Sequence, residues 1–291
     1  MDAVAHLRSL LPEREPLNRR SLLVKTSLGA GFCAFVQPVM AQVITTPTDG
    51  LVAGEVKVPS GGVELPAYRA MPASGGPFPT IFVTSEIFGV HEHIKDICCR
   101  LAKLGYYAIA TDLFARAGDA ATETNRDKLM NDIVGKTSDA QVAGDIDATL
   151  AFAKASGKAD LSKTAIIGFC WGGRQVWLNA ARHPEWKAAV AWYGPLAGPT
   201  NEMKPKNPVD IVSSLKVPVL GLYGGKDTGI TPDQVEAMRK ALKDAGKSSE
   251  IVVYPESPHA FHADYRPSYR KEDAVDSWAK ATAWLKKNGV E

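Results

Sequence analysis

Gly168-Phe169-Cys170-Trp171-Gly172-Gly173 is the stretch on which the reading of this chain turns. Upstream, Lys163–Phe169 reads as a short buried strand centred on Ala165, Ile166 and Ile167; downstream, Gly172–Arg182 reads as a helix. The pattern between them, G-x-C-x-G, is a strand–turn–helix elbow that more often carries serine at its centre. So sharp a turn strains its central residue, and side chains at the flanking positions would strike the adjoining strand and helix, which is why glycine stands there. Cys170 is lifted to the top of a sheet at the positive end of a helix, a location that favours thiolate over thiol. The plainer alternative is a glycine-rich turn around a buried cysteine.

Working outward, alternating and apolar runs predict the rest of a sheet. Leu51–Pro59 and Val63–Met71 read as antiparallel strands joined by Gly61-Gly62. Pro79–Thr84, Tyr106–Thr111, Lys187–Trp192, Val217–Tyr223 and Glu250–Tyr254 read as further strands. Helices are predicted over His91–Leu104, with Ile94, Ile97, Cys98, Leu101 and Ala102 on one face, over Asp139–Ala155, with Val142, Ile146, Thr149, Leu150 and Ala153 inward, and over Thr231–Ala245 and Lys271–Lys287. Strands alternating with helices over short connections imply an α/β fold with a mostly parallel sheet covered on both faces. Such sheets place their sites at the carboxyl ends of the strands.

Composition bounds the function. The chain has 291 residues, 45% hydrophobic and 23% charged, an ordinary globular balance. The first forty residues differ: Arg19-Arg20 and Lys25 precede a mildly apolar run to Val36, then Val39-Met40-Ala41. This reads as an export signal of the twin-arginine kind over residues 1–41, cleaved near Ala41, with residues 42–291 as a single domain in the periplasm or outside the cell. The apolar run is too short for stable membrane insertion. The signal takes five of the 34 basic and three of the 32 acidic residues, leaving 29 of each sign and nothing basic that argues for nucleic acid. Cys33 leaves with the signal; Cys98, Cys99 and Cys170 remain, an odd number without a C-x-x-C, so no disulfide framework is expected. Cys98 reads as core packing, and Cys99 stays open.

Four polar residues follow predicted strands: Glu86, Cys170, Asp227 and His259. Nucleophile, acid and histidine stand in the chain order of the α/β-hydrolases. His259 would take or share the Cys170 proton, and Asp227 would orient the imidazole. His91-Glu92-His93 looks like a metal pair, but residues two apart on a helix face different ways, so no metal is expected. Trp171, Trp192 and Tyr193 suit either a pocket or the core.

With these residues in view, the chain resembles the dienelactone hydrolase family. The resemblance runs from about Glu55 to the last helix. It rests on Ser85-Glu86-Ile87-Phe88-Gly89-Val90, Asp112-Leu113-Phe114-Ala115-Arg116, the elbow, Gly225-Lys226-Asp227 and His259-Ala260-Phe261. It implies an α/β-hydrolase fold and a catalytic set of Cys170, His259 and Asp227, with Glu86 helping the thiol ionise when substrate binds. It also implies oxyanion donors at the backbone N–H groups of Trp171 and Ile87, and Arg116 holding a substrate carboxylate. Arg266 is a second candidate at an altered spacing. The family alignment favours His259 over His262 as the base. The implied partner is a small lactone or ester, with no cofactor. The export signal and the segment Ala117-Gly118-Asp119-Ala120, which lacks an aromatic residue, set the chain apart and leave its substrate open. Competing readings are a general short-chain esterase, a thiol redox protein and a non-catalytic binding module.

Overall fold

A computed structural model of the chain describes residues 44–291. The export signal assigned to residues 1–41, and its cleavage site, lie outside the described residues.

Eight strands form one sheet in the order β1-β2-β4-β3-β5-β6-β7-β8. β1 (Leu51–Ser60) and β2 (Val63–Pro72) make an antiparallel hairpin in register from Leu51↔Pro72 to Ser60↔Val63. β2 also runs antiparallel to β4 (Tyr107–Thr111). All other pairings, among β3 (Phe78–Thr84), β4, β5 (Ala159–Phe169), β6 (Ala188–Trp192), β7 (Val219–Gly224) and β8 (Glu250–Tyr254), are parallel. Every residue of β4, β6 and β7 is buried. Continuous apolar runs of that kind are what a doubly covered parallel sheet requires.

Helices α1 (Glu92–Lys103) and α2 (Asp139–Ala155) both pack against β4. α3 (Trp171–Ala180) and α5 (Lys271–Lys287) both pack against β6, and α4 (Pro232–Asp244) lies on β8. The predicted inward face of α1 is buried throughout, and its chain turns away at Gly105 with φ +99°. On α2, Leu150 is only half-buried, and a charged residue, Asp145, is buried instead.

One departure from the predicted strands is at the start of β5. The strand is predicted from Lys163, with Asp160 and Ser162 outside it, yet Ala159 and Asp160 already pair with Phe78 and Pro79 before a register shift at Pro79/Thr80. A backbone ladder needs no apolar side chains, so hydrophobic patterning cannot see such a start.

Candidate active site

At the elbow, Cys170 adopts φ 53° and ψ −118°, the strained conformation its sequence context demands. A Cβ on Gly168 would come within 2.0 Å of Thr84 Oγ1, and one on Gly172 within 2.3 Å of the Thr84 carbonyl oxygen. Thr84 Oγ1 lies 3.0 Å from the carbonyl oxygens of both Ile167 and Gly172, pinning β3 to the two limbs of the elbow. The Cys170 N–H donates to the Trp192 carbonyl at 3.0 Å. Trp171 opens α3, so its N–H has no carbonyl of its own helix to bond. Ile87 follows Glu86 in the loop after β3.

The structure brings Cys170, Asp227 and His259 together from the ends of β5, β7 and β8. His259 Nε2 is 3.2 Å from Cys170 Sγ, and Nδ1 is 2.6 Å from Asp227 Oδ2. Asp227 is fixed in turn: its Oδ1 accepts from the N–H groups of Gly229 at 2.9 Å and Ile230 at 3.0 Å. Burial alone would lower the His259 pKa, but the Cys170 charge and the hydrogen bonds to Asp227 and Cys170 outweigh it and push it up to about 10. Both ring nitrogens of His259 are thus engaged, Nε2 toward Cys170 and Nδ1 toward Asp227. His262 sits elsewhere. Its ring packs among Phe169, Trp192 and Trp278, neither nitrogen has a hydrogen-bond partner, and burial pushes its pKa well down.

Glu86, in the loop after β3, bears on the same neighbours as Cys170. Its side chain is 1% exposed. Oε2 accepts a hydrogen bond from the Tyr265 hydroxyl and lies 3.5 Å from His91 Nε2, while Oε1 has no hydrogen-bond partner. Burial alone would raise the Glu86 pKa, but His91 and then Arg266 hold it well below the carboxylate range, at about 2. Glu86 makes no hydrogen bond to Cys170, although both bear on Tyr193 and Arg266 electrostatically. Tyr193 stands edge-on to His259 with ring centroids 5.2 Å apart, and its buried hydroxyl has no partner. Trp192 instead belongs to the core, donating from Nε1 to Ser277 Oγ at 3.2 Å, and Trp171 packs on Phe114.

The two arginines lie in different surroundings. Arg266, the candidate with the altered spacing, stacks its guanidinium over Phe88 at 5.9 Å and senses Glu86, Tyr265 and Cys170. Arg116 does not join this group. Its Nη2 donates to Asp145 Oδ1 and to the Ser60 carbonyl, each at 2.8 Å, at the turn of the β1–β2 hairpin. The cause is Asp145, whose side chain is 2% exposed and needs a cation.

His91 and His93 have separate partners: His93 Nδ1 is 3.0 Å from Asp264 Oδ1, and Asp264 Oδ2 accepts from Arg100 Nη2 at 2.6 Å. Among the described residues no group of three or more ligands could hold a metal, and no helix is long and apolar enough to cross a membrane. Cys98 lies in the core and Cys99 Sγ is 3.6 Å from the Tyr68 hydroxyl. A cavity of about 550 Å³ opens beside Tyr68, Val90 and Asp112, and none of Cys170, His259, Asp227 and Glu86 lines it. Tyr265, His91 and Asp145 were not among the predicted site residues. Tyr265 carries no signal beyond standing near His259, and His91 drew notice only as half of the apparent metal pair.

Residues 65–289 match the dienelactone hydrolase family. A protein of Methylorubrum extorquens named "Putative carboxymethylenebutenolidase" is 56% identical over 287 residues, covering 98% of each chain. A protein of the same name from Escherichia coli is 47% identical, covering 91% of this chain and 97% of its own. A crystal structure of a "Putative Dienelactone Hydrolase" from Klebsiella pneumoniae superposes with a TM-score of 0.79 at 50% identity, covering 81% of this chain and 99% of that one. With the elbow, the sheet order and these relatives in agreement, the chain belongs to the dienelactone hydrolase family and is a hydrolase of the α/β-hydrolase fold.

Proposed function

We propose that the chain cleaves a lactone or carboxylic ester through Cys170, His259 and Asp227 by way of an acyl-thioenzyme. One observation carries the reading: an unbroken line of contacts from Cys170 Sγ through His259 to Asp227 at 3.2 and 2.6 Å, set on a strained elbow. The Cys170 thiolate attacks the carbonyl carbon, and negative charge moves to the carbonyl oxygen. The N–H groups of Trp171 and Ile87 are the donors for that oxyanion. As the C–O bond breaks, His259 gives its Nε2 proton to the leaving alkoxide. Neutral His259 then takes a proton from water, whose oxygen attacks the thioester. Collapse expels the Cys170 thiolate and leaves a carboxylic acid. Asp227 holds the ring in the orientation both steps need. Glu86 serves the thiol's ionisation, and Arg266 is the guanidinium placed to hold a substrate carboxylate. Export through Arg19-Arg20 and a mature start near Gln42 are part of the same proposal; N-terminal sequencing of the protein from its host tests them, and an intact Met1 form as the main species refutes them.

The testing experiment is a hydrolysis screen of matched lactones and esters, with and without a carboxylate, on wild type, Cys170→Ala and His259→Ala. Cys170→Ala is expected to lose nearly all turnover, and His259→Ala roughly 100- to 10,000-fold in acylation. An acyl group trapped on any residue other than Cys170 refutes the assignment. Equal rates on acidic and neutral substrates favour the general-esterase alternative.

A further inference from the structure

Around Glu86 the structure holds more than the proposed reaction uses. A carboxylate buried to 1% exposure, left to itself, takes up a proton, because charge is poorly solvated there. Arg266 opposes this by its charge, and two hydrogen-bonding neighbours add to it from different elements. Tyr265, on the loop after β8, donates its hydroxyl proton to Oε2, and burial followed by the Glu86 charge pushes the Tyr265 pKa well up, so the phenol remains a donor. His91, the residue before α1, brings Nε2 to 3.5 Å from the same oxygen, and burial pushes its pKa down, so it contributes a neutral ring. The two rings also touch each other edge-on, with centroids 4.9 Å apart. The other charged or titratable groups bearing on this spot are His93 on α1, Asp264 and Arg266 on the loop after β8, His262 behind them, Tyr193 after β6 and Cys170 itself.

We propose that Tyr265 is a latch on Glu86, with His91 as its second jaw, and that the latch sets how reactive Cys170 is. The proposal rests on the reading that Cys170 is the nucleophile and Glu86 acts on its ionisation. While the latch is closed Glu86 stays ionised. A proton arriving on acidification then goes to the thiolate, and the resting cysteine is easily silenced. With the latch open, Glu86 binds a proton more tightly. Neutral Glu86 then places no negative charge near the sulfur, and the thiolate persists to lower pH. Tyr265 and His91 are positioning residues, since they act through Glu86.

The test needs no substrate. Iodoacetamide alkylation of Cys170, read by mass spectrometry across pH, reports the thiolate directly. In Tyr265→Phe the acid limb of that profile is expected to move to lower pH by up to roughly one to two units, the scale of one lost hydrogen bond to a charged group. His91→Phe is expected to move it the same way by less, and His91→Gln, which restores an N–H donor, to bring it back. Glu86→Gln imitates the neutral acid and is expected to lower the limb as well, with Tyr265→Phe adding nothing on top of it. An unmoved limb in Tyr265→Phe and His91→Phe, alongside a shifted limb in Glu86→Gln, overturns the latch and leaves the reaction as proposed. An unmoved limb in Glu86→Gln removes Glu86 from the chemistry of Cys170 and the latch with it. If Tyr265→Phe does not fold, the comparison of His91→Phe with His91→Gln decides alone.

Discussion

Replacing Arg116 with alanine strands Asp145. That carboxylate has a side chain 2% exposed, and it accepts from Ser60 Oγ at 2.6 Å, Arg116 Nη2 at 2.8 Å and Arg116 Nε at 3.3 Å. In Arg116→Ala only the Ser60 hydroxyl remains of these three, and the Ser60 carbonyl loses its donor as well. Breaking a fully buried pair costs about 3–5 kcal/mol. The Arg116 side chain is 24% exposed, however, so water reaches the vacated site, and about 2 kcal/mol is the better figure. For a domain of this size that lowers Tm by roughly 4–8 °C. Urea unfolding measures the stability, and kcat/KM on an acidic ester and its neutral counterpart measures function. Stability is expected to fall while the ratio of the two rates stays put. Arg266→Ala is expected to do the reverse, reducing kcat/KM for the acidic ester by about 1.5–3 kcal/mol, the worth of hydrogen bonds to a charged group. An Arg116→Ala protein as stable as wild type, but selectively slow on the acidic ester, would refute the reasoning and return Arg116 to the substrate.

Gly172→Ala puts a Cβ within 2.3 Å of backbone oxygen, which cannot swing aside as a side chain can, so loss of the folded elbow and of activity is expected in urea and turnover assays. Retained stability there would contradict the packing of β3 on α3. The His259 ring, followed by nuclear magnetic resonance, is expected to titrate near 10 and to fall toward 6.5 in Cys170→Ala, because the thiolate charge is the chief force raising it. The stability that His259 contributes is accordingly complete below about pH 6.5 and is lost as pH rises through about 10. His262→Ala is expected to lower stability by opening a hole among Phe169, Trp192 and Trp278 while leaving acylation within a few-fold of wild type; a loss exceeding that of His259→Ala would reverse the choice of base.

The elbow and the sheet were legible because each has a local signature: glycines where backbones collide, and apolar runs of strand length. Cys170, Asp227 and His259 were legible because each follows a strand closely enough for chain order to stand in for space. Arg116 shows where that substitution fails. It too follows a strand, β4, but where its long side chain turns depends on Asp145, on the second turn of a helix 29 residues away in sequence. Buried charge on an amphipathic helix reads as solvent-facing until its partner is known. Tyr265 and His91 were missed for a related reason. A phenol and an imidazole six or so residues from recognised positions look like ordinary loop and cap residues, and only the folded chain shows them meeting on one oxygen.

The hairpin and the segment before it have a bearing on where this molecule begins. The stretch shared with the family starts at residue 65, inside β2. The folded body starts earlier. Ile44 is buried, the Thr46 N–H donates to Asp96 at 2.5 Å, and Asp96 in turn holds Arg100, which holds Asp264 two residues beyond Phe169's neighbour His262. β1 then shields β2 along ten paired residues and delivers Ser60 to Asp145. A chain trimmed to the shared stretch would bare a long strand edge, open to pairing with other chains, and leave two acidic side chains short of partners. The border of the inherited sequence and the border of the cooperative unit are different lines, and engineering of this protein should respect the second.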